Sequence, residues 1–519
     1  MCAQVLKDHQ HQGRFADWLD ERFVTLTNIY QHLLNHSLAN RGAVVLFSAV
    51  IIASLPLLFM LTQQELAPEE DSGALYVMAN PPQYANLEYI NYFLDDIVAV
   101  WKQIPEVSHS WQVSSPDFNM GGLTLTHWDD RSRTQAQVIT QFQQELNSVA
   151  GMEVFTFGSP PLPGSDAGLP VSFVVASTNS YQDVERVGGE LLQAARESGL
   201  FVFITQSLKF TRPEILVNID RERAARLGIS MQAIGDTLAV MLGEAEINRF
   251  SLEGRSYKVI PQAAGGFRLT AKELEKYYIR TSSTELVPLS AVISLGSTVE
   301  ANKLTQYQQM NSTTLQGMMM PPNSLGSGLD FLRNKLAEIA PTGFRDGYTG
   351  GSRRYVQEST SFPALFALSL TLIYLVLAAQ FNSFRDPLVV LVTVPLSIFG
   401  AVVPIALGLV TLNIYTQVGL LTLIGLISKH GILIVDFANQ LVDQGLNRRD
   451  AVLKAASLRL RPILMTTLAT VLGVWPLVIA SGAGANSRFS IGLMITAGML
   501  VGTLFTLFVV PLFSLPLAR

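Results

Sequence analysis

Apolar residues along this chain follow two regimes. In the first they run almost unbroken over stretches near 43–61, 362–381, 388–409, 416–438, 463–481 and 489–515, each close to the roughly 20 residues a helix needs to cross hydrocarbon. In the second they alternate with polar residues or recur at helical spacing, and this regime fills the stretch of roughly 300 residues between the first and second runs, too long for a connecting loop. The pattern predicts six transmembrane helices and a large α+β domain inserted after the first.

Within that domain, "ALYVMA" (strand), 87–104 (helix), "SHSWQVS" and "GLTLTHW" (strands), 132–149 (helix) and "MEVFTF" (strand) spell βαββαβ, the ferredoxin-like split motif. A second series starts with "VSFVVAS", 181–198, "FVFITQ", "EILVNID" and 221–242. Its last helix, "LDFLRNKLAEI", and last strand are expected only at about 326–349, after a β-rich insertion at about 243–322 that holds "RSYKVIPQ", "YYIRT", "VPLSAVISL" and "TLQGMMM". Ahead of the first run, Phe15, Trp18, Leu19, Phe23, Leu26, Tyr30 and Leu33 form one helical stripe, as in an amphipathic helix at a membrane interface or in a soluble amphipathic hairpin.

Composition agrees with a membrane protein: of 519 residues 49% are hydrophobic and 15% charged, and the mean hydropathy is +0.30. A net charge of −5 with no long basic run argues against nucleic acid as a partner. The single cysteine, Cys2, leaves no intrachain disulfide and no cysteine-based metal site. The first apolar run follows a polar stretch, so no secretory signal is expected. Short connections carrying Arg385 and then Arg448, Arg449, Lys454, Arg459 and Arg461 place that side in the cytoplasm. The N-terminus then falls on the cytoplasmic side and the large domain on the opposite one.

Charges inside the apolar runs are the candidate chemistry, since each costs about 2.5–3.5 kcal/mol at mid-bilayer on insertion scales. In "LIGLISKHGILIVDF", Thr422, Gly425, Lys429, Ile432 and Asp436 share one helical face, expected to point into the bundle. Arg459, Thr466, Thr470 and Gly473 align on the next helix. A lysine, an arginine and hydroxyls on facing helices suit a proton or ion relay, or a static buried ion pair. The six runs offer no carboxylate at mid-depth, because Asp436 lies near one end and Asp386 in a loop; the counter-charge has to come from elsewhere. Trp111, Phe118 and Met120 flank the loop "SSPDFNMGG", which fits either an apolar ligand pocket or ordinary core burial. Met318–Met320 suit core packing better than soft-metal binding, and Gly498 with Gly502 suits close helix packing. No GxSxG, HExxH or P-loop occurs, so an enzyme is not expected.

Several stretches, in order along the chain, carry a resemblance: "ELAPEEDSGALYV", "TGGSRRYVQES", "FNSFRDPLVVLVTVPLSIFGA", "VGLLTLIGLISKHGILIVDFANQLV" and "SLRLRPILMTTLATVLGVWPLVIASGAGA". Through them the chain resembles the C-terminal half of a resistance–nodulation–division (RND) multidrug efflux transporter of the hydrophobe/amphiphile type. The resemblance implies a multi-pass α-helical protein of the bacterial inner membrane with an α+β periplasmic domain. Its parts would be a cytoplasmic linker helix at 1–42, family helix seven at 43–61, porter subdomains at 73–163 and 169–349, a docking insertion at about 230–322, and family helices eight to twelve at 362–515. It further implies a trimer driven by the proton gradient without a cofactor, a periplasmic adaptor, an outer-membrane channel, and hydrophobic small molecules as cargo. Lys429, Arg459 and Thr466 match the family's relay residues, His430 stands where asparagine is common, and Trp111 and Phe118 fall near pocket and switch-loop positions. The family's aspartate pair lies in an N-terminal half, which the chain would need from a partner or a split gene. The alternative is a truncated or non-transporting scaffold.

Overall fold

The computed structural model describes residues 14–115, 119–162, 169–301, 303–320 and 322–517. Two compact units are present: one holds the described parts of 1–81, 85–207 and 306–519, the other 82–84 and 208–305.

Helix α1 (Arg14–Ala39) leads into α2 (Arg41–Leu61). The single stripe expected on α1 divides into two faces. Tyr30, Leu34 and Leu38 are buried, with the Tyr30 hydroxyl donating to Leu507 O at 2.6 Å, whereas Trp18, Leu26 and Leu33 are exposed. The side chains of Phe15 and Leu19 lie outside the described residues. Four residues advance a helix slightly more than one turn, so a run of seven apolar positions spreads around it and only tertiary contact selects the docked line.

The first α+β module runs β1 (Ala74–Asn80), α3 (Leu87–Trp101), β2 (Val107–Ser114), β3 (Asn119–Leu125), α4 (Gln135–Leu146) and β4 (Glu153–Gly158). Its antiparallel sheet has the order β2-β3-β1-β4. Strand alternation sends Leu75, Val77 and Ala79 to the helix side, where Ile90, Leu94 and Ile97 of α3 and Val138, Phe142 and Leu146 of α4 cover them. Burial of each such large side chain contributes about 1.5–3 kcal/mol. Thr134 opens α4 with a capping box completed by Gln137.

The second module begins with β5 (Val171–Ser177), α5 (Tyr181–Glu197) and β6 (Phe201–Gln206). The chain then enters the second unit, with β7 (Arg212–Ile219), α6 (Arg221–Arg226), α7 (Met231–Leu242), hairpin β8–β9 (Asn248–Leu252, Arg255–Val259), hairpin β10–β11 (Tyr278–Arg280, Leu286–Pro288) and β12 (Ile293–Glu300). Ala224, Ile234, Leu274, Ile279 and Leu289 form its core. The chain returns as β13 (Thr305–Tyr307), β14 (Met310–Met319), α8 (Leu325–Ile339) and β15 (Phe344–Tyr348).

Here the structure corrects the expected strand assignment. "EILVNI" belongs to β7, which among the described residues pairs only with β12 and is largely exposed. The third strand of the module is β14, from the "TLQGMMM" segment assigned to the insertion, and it lies between β5 and β6. Apart from the short β13, which also pairs with β14 in this five-stranded sheet, the order is therefore β6-β14-β5-β15, so four strands of each module lie in the same sequence. The inserted unit spans 208–305 rather than 230–322, because an insertion between paired strands leaves no local mark on either of them.

Among the described residues six helices are long and apolar enough to cross a membrane, counting one interrupted pair as a single span. Beside α2 these are α9 (Gly350–Phe381), the pair α10–α11 (Asp386–Leu391, Thr393–Ala406), α12 (Ile414–Asp443), α13 (Arg448–Val478) and α14 (Ala485–Leu517). Helix α9 starts well before the apolar run, at Gly350, and α13 starts at Arg448. Helix α14 is central to the packing: a Cβ on Gly498 would lie 2.2 Å from the Leu423 side chain and one on Gly502 2.5 Å from Ser397, so these glycines permit close approach to α12 and α11.

Candidate functional site

Asn413 begins α12 with a capping box to Thr416, both fully buried, and from that fixed start the helix presents two different faces. His430 is 1% exposed. Its Nε2 lies 3.3 Å from the Thr466 hydroxyl on α13 and its Nδ1 3.3 Å from the Thr503 hydroxyl on α14. Thr503 also exchanges a hydrogen bond of 3.0 Å with Thr467. Three helices thus meet at one imidazole, which donates through one ring nitrogen and accepts through the other when neutral.

Lys429 takes the other face. Contrary to the expectation that it points into the bundle, Lys429 is exposed, together with Thr422 and Gly425, while Ile432 and Asp436 are half-buried. A 100° step per residue makes the reason plain: once packing turns His430 inward, Lys429 cannot also face the helices of this chain. Arg459 is half-buried with its guanidinium 4.5 Å from the centroid of Phe437, and its Nε is buried without a hydrogen-bond partner. Among the described residues neither Lys429 nor Arg459 takes part in an ion pair. Of the four relay candidates, the structure joins His430 directly to Thr466, and leaves Lys429 without an ion pair among the described residues, Asp436 of the same face accepting instead from Gln440.

In the first module, Trp111 is on β2 and opposite Gly122 of β3, where a Cβ would lie 2.4 Å from the indole Nε1. The ring lies over the glycine, 47% exposed, with its centroid 6.4 Å from that of Tyr76. Met120 is buried with Phe157 and Leu169, and Met318 from the second module packs against them. Phe155 of β4 stacks on Phe203 of β6 at 3.6 Å. An aromatic and thioether surface therefore covers the sheet side opposite the helices. Phe118 lies outside the described residues. Met319 packs in the core of the second module, and among the described residues no cluster of metal-ligating acids, histidines or cysteines occurs.

Two features differ from what the sequence led one to expect, the first being Asp386, expected in a loop and found as the first residue of α10. Asp386 is 1% exposed and accepts from Asn439 Nδ2 at 3.3 Å, with its other oxygen unsatisfied. The second is a polar joint around Glu70, Asp71, Trp128, Arg131 and Asn486, which line a cavity of about 260 Å³. Asp71 pairs with Arg131, whose side chain is 2% exposed. Burial of Asp71 favours its neutral form, but the Gln135 amide and Arg131 outweigh this and hold its carboxyl below the usual carboxylate range. The consecutive acids of "PEED" were the only available signal.

Comparison with known proteins gives a consistent result. The model of the AcrB/AcrD/AcrF family matches residues 1–517. An uncharacterized transporter of Haemophilus influenzae is 36% identical over 521 residues, covering 98% of this chain and 50% of that protein. The multidrug/solvent efflux pump membrane transporter MepB of Pseudomonas putida is 31% identical, covering 99% and 51%. The multidrug export protein AcrF of Escherichia coli is 30% identical, covering 100% and 52%. The chain spans about half the length of the curated relatives it matches.

Proposed function

This chain belongs to the AcrB/AcrD/AcrF family of multi-pass membrane transporters, and from that premise we propose that it is the C-terminal half of a proton-driven pump exporting hydrophobic or amphiphilic compounds. The observation that carries the reading is the outward face of α12. A lysine on the exposed side of a membrane-length helix needs a partner that supplies negative charge, and Lys429 has none among the described residues. Arg459, with its buried and unpartnered Nε, adds a second cation to be matched. An N-terminal half bearing an aspartate pair, joined to this chain or supplied as a second polypeptide, would cover that face and complete a relay in which Lys429 changes partner as a carboxylate titrates.

The rest of the proposed assembly follows from the same reading. The two modules with identical strand order serve as ferredoxin-like porter subdomains on the periplasmic side, and the unit at 208–305 docks toward an adaptor and an outer-membrane channel. The aromatic surface around Trp111 and Met120 contacts apolar cargo, the assembly is a trimer in the bacterial inner membrane, and α1 lies on its cytoplasmic surface. Names of the relatives, multidrug export protein and multidrug/solvent efflux pump, support the substrate class.

Dye efflux from a pump-deficient strain tests the reading. Expressed with a six-span half that carries the aspartate pair, the chain should give export that collapses with the proton gradient. Export of equal rate from the chain alone, or export that persists after the gradient is dissipated, would overturn it.

A further inference from the structure

Two consecutive carboxylates, Glu70 and Asp71, each hold the N-terminus of a different helix. Glu70 Oε1 accepts from the Ser487 amide at 2.6 Å and from the Ser487 hydroxyl, and Oε2 accepts from the Asn486 amide at 3.2 Å. Asn486 Nδ2 in turn donates to Glu69 O at 2.6 Å. These contacts occupy the first turn of α14, where unsatisfied amides and the helix dipole favour a negative charge. Asp71 Oδ2 accepts from the Gln135 amide at 2.9 Å, at the start of α4 in the first module. Its Oδ1 accepts from Arg131 and from Trp128 Nε1, the latter at 3.2 Å. One peptide bond therefore links the cap of the last membrane helix to the cap of a module helix.

The far part of α14 is tied to the relay. Thr503 lies sixteen residues beyond Ser487, about 24 Å at 1.5 Å per residue, and it bonds His430 and Thr467. Thr466, bonded to the other ring nitrogen of His430, is a relay candidate. A continuous chain of contacts thus runs Thr466–His430–Thr503, along α14 to Ser487, and through Glu70–Asp71 to Arg131, Trp128 and Gln135.

We infer that α14 is the rod that transmits relay changes to the first module, with Thr503 as its inner attachment and Glu70 as its outer one. This rests on the proton-driven reading. Neither residue touches cargo; both act by positioning. A rigid helix displaced at its inner contact carries its outer end with it, and passes that displacement to the module only where the outer end is attached.

Hydrogen exchange of residues 126–135, measured on the full chain in lipid nanodiscs, tests the coupling directly. Thr503→Val, which removes the hydroxyl at nearly constant volume, should change exchange in that segment by at least about threefold, and Thr503→Ser should not. In a Glu70→Ala background, Thr503→Val should have no further effect. An equal effect of Thr503→Val in both backgrounds, or none in either, overturns the inference. Where Glu70→Ala raises exchange in β1 as well, Glu70→Gln is read in its place against the same threefold criterion. Loss of proton-driven export from wild-type membranes with the coupling retained would remove the transport reading and leave the rod. Intact export in Thr503→Val without coupling removes the rod and leaves the transport reading.

Discussion

Lys429 and His430 are adjacent in sequence and, about 100° apart around α12, face differently: the histidine is 1% exposed among three helices and the lysine is exposed on the outside of the helix. One residue therefore takes part in the packing of this chain, and its neighbour lies on an exposed face of the helix. Separate consequences follow for substitution at each position.

Lys429→Ala should leave the stability of the chain within about 0.5 kcal/mol, as expected of an exposed position without partners. In the complete pump it should abolish proton-linked export, because the acid opposite would lose its cation and remain protonated. Urea titration in detergent checks the first outcome and dye efflux the second. Normal export in this variant would make the lysine a structural residue.

His430→Ala should cost roughly 1–3 kcal/mol, since it removes a shared partner of the Thr466 and Thr503 hydroxyls and leaves a void. His430→Asn should cost less, because an amide retains both a donor and an acceptor. Thermal unfolding of the two variants side by side ranks them, and equal losses would show that the ring volume matters and the hydrogen bonds do not.

Removing the carboxylate of Asp71 should be more damaging than its half-exposed setting suggests. Asp71→Ala strands Arg131, whose side chain is 2% exposed, and an abandoned buried cation costs about 3–5 kcal/mol. Limited proteolysis should then cut within 119–146 while α12 to α14 stay protected. Arg131→Met together with Asp71→Ala should recover much of the loss, because no buried charge remains.

Glu65 gives a pH dependence with a definite sign. Burial pushes its carboxyl up to about 6, partly offset by the hydrogen bond it accepts from Thr411, with Glu69 adding a smaller upward push. A folded-state value above the unfolded one means that the protonated acid favours folding. The contribution is complete below about 4.5 and is lost as pH rises through about 6. Glu65→Gln should abolish this dependence and be the more stable form at pH 8 by about 1–2 kcal/mol. Unfolding midpoints of both proteins measured between pH 4.5 and 8 check it.

Trp111→Ala in the complete pump should narrow the range of bulky substrates while small ones are spared, since truncation removes aromatic contact area. Tyr76, 6.4 Å away between ring centroids, should show the same selectivity when changed to alanine. A uniform loss across substrates would mark both rings as packing residues. The measurement is a panel of minimum inhibitory concentrations at matched protein level.

The apolar runs by themselves pointed to the six membrane-length helical spans found among the described residues, because twenty consecutive apolar residues admit few other fates. Alternation likewise determined the strands of the first module, where all six elements follow one another without interruption. Tertiary structure decided what periodicity leaves open. The third strand of the second module is β14 and not β7, since a strand's partner across a long insertion is chosen by non-local pairing. The inward residue of the Lys429–His430 pair is the histidine, since a charged and a polar residue one step apart offer two rotations of α12 and packing against Thr466 and Thr503 selects one. The joint at Glu70 and Asp71 joins residues 70 and 487, a contact that exists only when the segment before β1 and the start of α14 are brought together in space.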